Sequence, residues 1–148
     1  MQVSEGRSFL GRFKYGDDLL LSLNAFCENN GITLGVFSVI GAVSSAKMGY
    51  FKQDTREYAE CVILDETLEI TSCLGNMSLN DSEIFVHAHI TLADHNGKCF
   101  GGHLMPGAKI FAAEYHIKEL TGAELNRSHD PETGLNLWPV RKRTEDRG

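Results

Sequence analysis

From Ile32 to Leu120, runs of β-branched and aromatic residues alternate with connections of three or four polar or glycine-bearing residues. This pattern limits the fold more than any other, because strands joined so briefly return antiparallel, whereas a parallel neighbour needs a long crossover. Strands are predicted near 34–43, 45–52, 57–64, 68–78, 84–93, 98–104 and 108–119. Between them lie QDT at 53–55, DET at 65–67, LND at 79–81, DHNG at 94–97 and MPG at 105–107. The segment AKIFAAEYHIKEL has the composition of a helix. Its apolar residues Phe111, Ala113, Tyr115 and Ile117 nevertheless alternate strictly with Glu114, His116 and Lys118, so the period of two decides for a strand.

Only one long helix is predicted. Asp17 or Asp18 supplies the N-cap, Leu19, Leu20, Leu23, Phe26 and Cys27 recur at helical spacing, and Asn29, Asn30 and Gly31 end it. After the last strand the chain loops through Pro131 and Gly134, and a short Leu135–Val140 segment is expected to dock as a sheet edge. No repeat or linker divides the sequence. The expected architecture is a single α+β domain over 1–148, ordered from about 7 to 138: an antiparallel sheet with one amphipathic helix packed on it and a flexible tail over 139–148.

At 148 residues, 42% of them hydrophobic, the chain needs neither a disulfide nor a structural metal to build a core. No run of apolar residues is long enough for a membrane span and the N-terminus has no secretory core, so a cytoplasmic protein that binds no membrane is expected. Cys27, Cys61, Cys73 and Cys99 form no C-x-x-C pair and are expected to be reduced and buried. The net charge of -6 is the wrong sign for neutralising phosphates, so it does not support DNA as a partner. Basic residues cluster at Arg7, Arg12 and Lys14 and again in the tail, and any nucleic-acid contact is expected from Arg141, Lys142 and Arg143.

The stretch FVHAHITLADHNGKCFGGHLMPG carries the one constellation with chemical meaning. On a strand, His87 and His89 point to the same face with Cα atoms about 6.6 Å apart, close enough to share an ion at a metal–nitrogen distance of about 2.0–2.1 Å. His103 on the next strand completes the set only in the right register. A loop of three residues, His95, Asn96 and Gly97, opposes it to His89; a loop of four opposes it to Ala88 and turns it to the other face, unless Gly101 and Gly102 bulge. Spacing alone leaves a metal site and a hairpin of half-buried, hydrogen-bonded histidines equally open. His95 is expected in solvent. His116, on one strand face with Glu114, is a candidate supporting partner for the metal ligands or an ordinary exposed pair.

The order GRFKYGDDLLLSL, GVFSVIGAVSSAKMGYF, LEITSCLGNMSL, FVHAHITLADHNGKCFGGHLMPGAKI and HDPETGLNL resembles the plants-and-prokaryotes-conserved domain in its single-domain prokaryotic branch. The resemblance covers roughly residues 7–138, and H-x-H followed by G-x-x-x-G-G-H is its most specific element. It implies a homotrimer and a metal cluster at His87, His89 and His103, with zinc first and iron, cobalt or nickel also suited to imidazole. It also implies a partner interface at Gly11, Arg12 and Phe13. Plant members carry an AT-hook of R-G-R-P type that this chain lacks. The expected function is therefore a metal-binding, protein-interaction or DNA-associated module without established chemistry. The alternative is a hydrolase- or lyase-type enzyme acting on a small-molecule ligand at the open metal position, with Glu83, Asp94 or Glu114 as general acid or base.

Overall fold

The computed structural model describes residues 1–140, without the side chains of residues 60–63. The elements in chain order are β1 (Ser4–Arg12), α1 (Leu19–Asn30), β2 (Gly35–Lys52), β3 (Glu57–Leu64), β4 (Leu68–Asn80), β5 (Glu83–Ala93), β6 (Cys99–Leu104), β7 (Lys109–Thr121), β8 (Asn126–His129) and β9 (Asn136–Leu137). The fold is α+β, mostly sheet with one helix. The basic residues Arg141, Lys142 and Arg143 lie outside the described residues.

β2 is one strand of 18 residues where the sequence pattern predicts two. The predicted break near Ser44 is a change of partners. Residues 35–43 pair with β4 on one side and β7 on the other, and residues 46–52 pair with β3, with Met48 and Gly49 also reaching β6. Register shifts near Gly41 let one strand turn between the two sets of neighbours. Gly41 has φ 135°, and a Cβ there would collide with the Ala112 carbonyl oxygen, so both the bend and the close approach of β7 require glycine.

The antiparallel pairings β2–β4, β4–β5, β5–β6 and β6–β2 close a ring, and β7 and β1 extend it from the other edge of β2. Directly opposed residues share a face, so each row across the sheet reads one way. Val39, Cys73 and Ile90 form a buried inner row. One residue along, Ser38, Leu74, His89 and His103 form an outer row.

The helix covers the inner face. Leu19, Leu23 and Cys27 are buried at helical spacing and join Phe37, Cys73, Ala113 and Ile117 in the core. Asp18 is the N-cap: Oδ1 accepts from the Leu21 N–H at 3.0 Å, and Oδ2 accepts from the Gly107 N–H at 2.6 Å. The same carboxylate thus starts the helix and fixes the β6–β7 turn. Gly31, at φ 62°, closes the other end. Burial pushes the Cys27 and Cys73 thiols up to about 12, consistent with inert core cysteines, but Cys99 is exposed, contrary to expectation. Cys99 faces out because it ends the hairpin beside the turn.

β1 is an edge strand with almost no buried side chain, so no apolar alternation announces it. Backbone pairing with β7 and side-chain ties hold it instead. Arg7 grips Glu119 with Nε at 2.7 Å and Nη2 at 2.8 Å, and its Nη2 also reaches the Asn30 carbonyl at the end of α1. Arg7 holds the Glu119 carboxyl down to about 2, against an ordinary value of 4.5. A depressed folded pKa gives stability that is present above pH 4.5 and lost as pH falls through about 2. Glu119→Gln should therefore melt below the parent at pH 6–7, with the two melting curves converging as pH falls toward 2; a constant gap across that range excludes the ion pair as the cause. Asp18→Ala should cost about 1–2 kcal/mol in urea unfolding, with Asp18→Asn keeping part of the loss.

Candidate metal centre

The hairpin of β5 and β6 sets the site. Asp94 and Lys98 close it through an Asp94 N–H to Lys98 carbonyl bond of 3.0 Å, leaving His95, Asn96 and Gly97 as the loop. Gly97 takes φ 77°, and Asp94 Oδ1 accepts from the N–H groups of Asn96 and Lys98. Of the two routes open to the sequence, the odd loop is the one used. His103 consequently opposes His89, and the ladder from Ala93–Cys99 to His89–His103 runs without a bulge at Gly101 or Gly102.

His87, His89 and His103 converge on the outer face with ligand atoms all within 4.8 Å of one another. Their ring centroids are 5.0–5.6 Å apart. His87 and His103 are half-buried and His89 is exposed. Burial is the main cause that lowers the His87 imidazole to about 4, with His103, Arg127 and His89 adding like-charge repulsion; burial followed by His89 lowers His103 too. Both shifts favour the neutral imidazole, the form whose lone pair binds a metal, at His87 and His103. Three imidazole donors at this spacing match zinc or another borderline divalent ion. No fourth histidine, cysteine or carboxylate joins the cluster among the described residues.

A cleft of about 340 Å³ opens beside His87 and His103. The Tyr58 ring lies 5.1 Å from that of His103 on one side. On the other the C-terminal segment folds over β4: β8 pairs with it in parallel, and Arg127 and Trp138 both donate to the buried Ser78 hydroxyl, at 3.1 and 2.9 Å. Of the Leu135–Val140 segment expected at a sheet edge, Asn136–Leu137 pairs with β8 as β9, while Val140 is 93% exposed. Arg127, Tyr58 and Asn76 are site residues that sequence reasoning missed. Their nearness to the histidines depends on non-local pairings that no local pattern encodes.

Glu114 and His116 do not reach the histidines. They belong to β7, and the outer row runs from His116 through Ser38 and Leu74 before it meets His89, three strands away. His116 hydrogen-bonds Ser8 Oγ at 2.9 Å instead. Of the candidate acid–base residues, Glu83, Asp94 and Glu114 are absent from the cleft wall. At the end of β1, Gly11 and Arg12 are exposed, while Phe13 packs on Tyr115 with ring centroids 4.5 Å apart. His95 is exposed and hydrogen-bonded to Asn96.

The family model described as "Plants and Prokaryotes Conserved (PCC) domain" matches residues 1–121. The chain belongs to this family. A metal-containing protein from Archaeoglobus fulgidus superposes on it with a TM-score of 0.88 at 41% identity, covering 94% of this chain and 97% of the other. A plant- and prokaryote-conserved protein from Pyrococcus horikoshii gives a TM-score of 0.89 at 38% identity over 95% and 96% of the two chains. A Bacteroides thetaiotaomicron protein provisionally described as DNA-binding gives 0.83 at 25% identity over 93% and 96%. The PCC chain also matches the bifunctional protein GlmU of a Synechococcus strain, at 33% identity over 132 residues, spanning 88% of this chain and 20% of that protein. It thus spans about a fifth of the length of the curated relatives it matches.

Proposed function

We propose that this PCC domain binds a divalent metal ion, zinc first, through His87, His89 and His103, and presents it with one position open to an exogenous ligand. The observation that carries the reading is the convergence of three imidazoles beside a cleft, with no fourth protein donor among the described residues. Such a set leaves a tetrahedral ion one site for water or a small molecule. The metal-containing relative from Archaeoglobus fulgidus supports it.

An enzymatic role for the same ion needs a proton carrier at the open position. Among the described residues the cleft wall holds no aspartate or glutamate, which favours ligand binding over acid–base hydrolysis. Direct binding of DNA is the weaker reading: the net charge is -6 and the cleft is too small for a duplex. No helix among the described residues is long and apolar enough to cross a membrane. Residence in the cytoplasm is part of the proposal.

Assembly into a homotrimer is the second part of the proposal. Val36, Ile40 and Leu74 are 43%, 58% and 59% exposed on the outer face, apolar side chains of the kind subunit contacts bury. Gly11, Arg12 and Phe13 are proposed as a separate contact with partner proteins.

Elemental analysis should find stoichiometric metal in protein purified without chelator, and His87→Ala, His89→Ala and His103→Ala should each bring it near zero with the circular dichroism unchanged. Full metal content in His103→Ala removes that residue from the ligand set. Leu74→Glu should shift the mass in solution, measured by light scattering, from trimer to monomer.

A further inference from the structure

Arg127 is the one charged side chain that the fold buries among the described residues, at 8% exposure. A guanidinium taken out of water without a counter-charge is costly, and the usual remedy is a carboxylate. Here every acceptor among the described residues is neutral: Nε donates to Ser78 Oγ at 3.1 Å, Nη1 to the Asn136 carbonyl at 3.3 Å, and Nη2 to Asn76 Oδ1 at 2.9 Å. The Phe85 and Trp138 rings, 5.3 and 5.1 Å from its Cζ, add cation–π attraction. Of the five N–H groups of an arginine, one on each terminal nitrogen is left without an acceptor among the described residues.

The place of this charge matters as much as its burial. Arg127 lines the same cleft as His87 and His103, and Asn76, which holds its Nη2, stands directly across the ladder from His87. A second cation, Arg56, lines the cleft too, and among the described residues its guanidinium donates to the Pro131 and Glu132 carbonyls. No acidic residue lines the cleft among the described residues. A metal ion on the histidines adds positive charge to a wall already positive, and like charges at short range in a partly dry site repel strongly. An anion between them turns both repulsions into attractions. A bare inorganic anion leaves most of the cleft unused, because Phe51, Tyr58 and Phe85 line the remainder.

We infer that the cleft binds a small organic oxyanion. Its phosphate or carboxylate is held by Arg127, with Arg56 adding long-range attraction, and its apolar body lies on the aromatic wall. One anionic oxygen takes the open position of the metal, so the inference rests on the metal-binding reading. It supplies the missing counter-charge for Arg127, and it explains why a cation is kept beside a cation site.

The test is calorimetric titration of zinc-loaded full-length protein with phenyl phosphate, benzoate and, as a neutral control, benzyl alcohol, with zinc content measured on each sample. Phenyl phosphate or benzoate should bind and benzyl alcohol should not; the tighter of the two names the oxyanion. Arg127→Met should weaken binding about 30-fold, the scale of losing hydrogen bonds to a charged group, with zinc retained and Arg127→Lys recovering part of the loss. Because Arg127→Met also loosens the C-terminal segment, Arg56→Gln serves as the second variant: it should weaken anion binding several-fold with no change in zinc content. Zinc-loaded protein that binds neither anion at millimolar concentration overturns the inference and leaves the metal reading intact. Equal binding of benzyl alcohol, or unchanged binding in both arginine variants, overturns it as well. Parent protein that fails to retain zinc overturns the metal reading first, and the inference with it.

Discussion

One strand with four partners carries this fold. β2 hydrogen-bonds to β7 and β4 along its first half and to β3 and β6 along its second, and the bend at Gly41 lets the same backbone serve both. Closing the ring through β6 brings His103 opposite Gly49 and puts β3, with Tyr58, beside the histidines. Without the bend, β5 would still pair with β4, and the outer edge of β6 would be left open. The ring supplies a second wall, and a surface pair of strands becomes one side of a cleft.

The histidine cluster follows from parity. Side chains alternate along a strand, so one residue more in the β5–β6 loop would move His103 to the inner face, where Leu104 now packs. Asp94 and Gly97 fix the loop length through an Asx-type turn and a left-handed backbone, both local and cheap to encode. The inner and outer rows are then specified together. Ile90 and Leu92 are buried by the same register that holds His87 and His89 outside.

Legibility in the sequence follows this division between local and non-local causes. The helix, with Asp18 and Gly31 as its caps, was readable because cap chemistry and periodicity act within a few residues. Five strands fell close to their predicted positions for the same reason. β2 was split in two because alternation records burial and says nothing of which partner is present. β1 was missed because an edge strand held by backbone bonds and the Arg7–Glu119 pair has no apolar period to show. The H-x-H pair could be read, and the third histidine could be stated as a condition on loop length. Glu114 and His116 shared a strand face and the right chemistry, yet lie three strands away, since proximity across a sheet is set by strand order. Arg127 looked like part of a polar terminal loop, and only the parallel docking of β8 on β4 gives it its place.

The outer face is divided along β4. Toward β2 it is apolar, with Val36, Ile40 and Leu74 exposed; toward β5 it is polar, with Asn76 and Ser78 holding Arg127 beside His87. Leu74 and His89 are directly opposed, so they touch both territories. His89 is also the one exposed member of the cluster. Any surface that covers Leu74 approaches His89 and takes water from it. Removing water from an imidazole favours its neutral form, the form that binds metal. A subunit contact on the apolar half and a metal ion on the polar half, as proposed, would therefore share the Leu74–His89 pair, and any coupling between the two would be reciprocal.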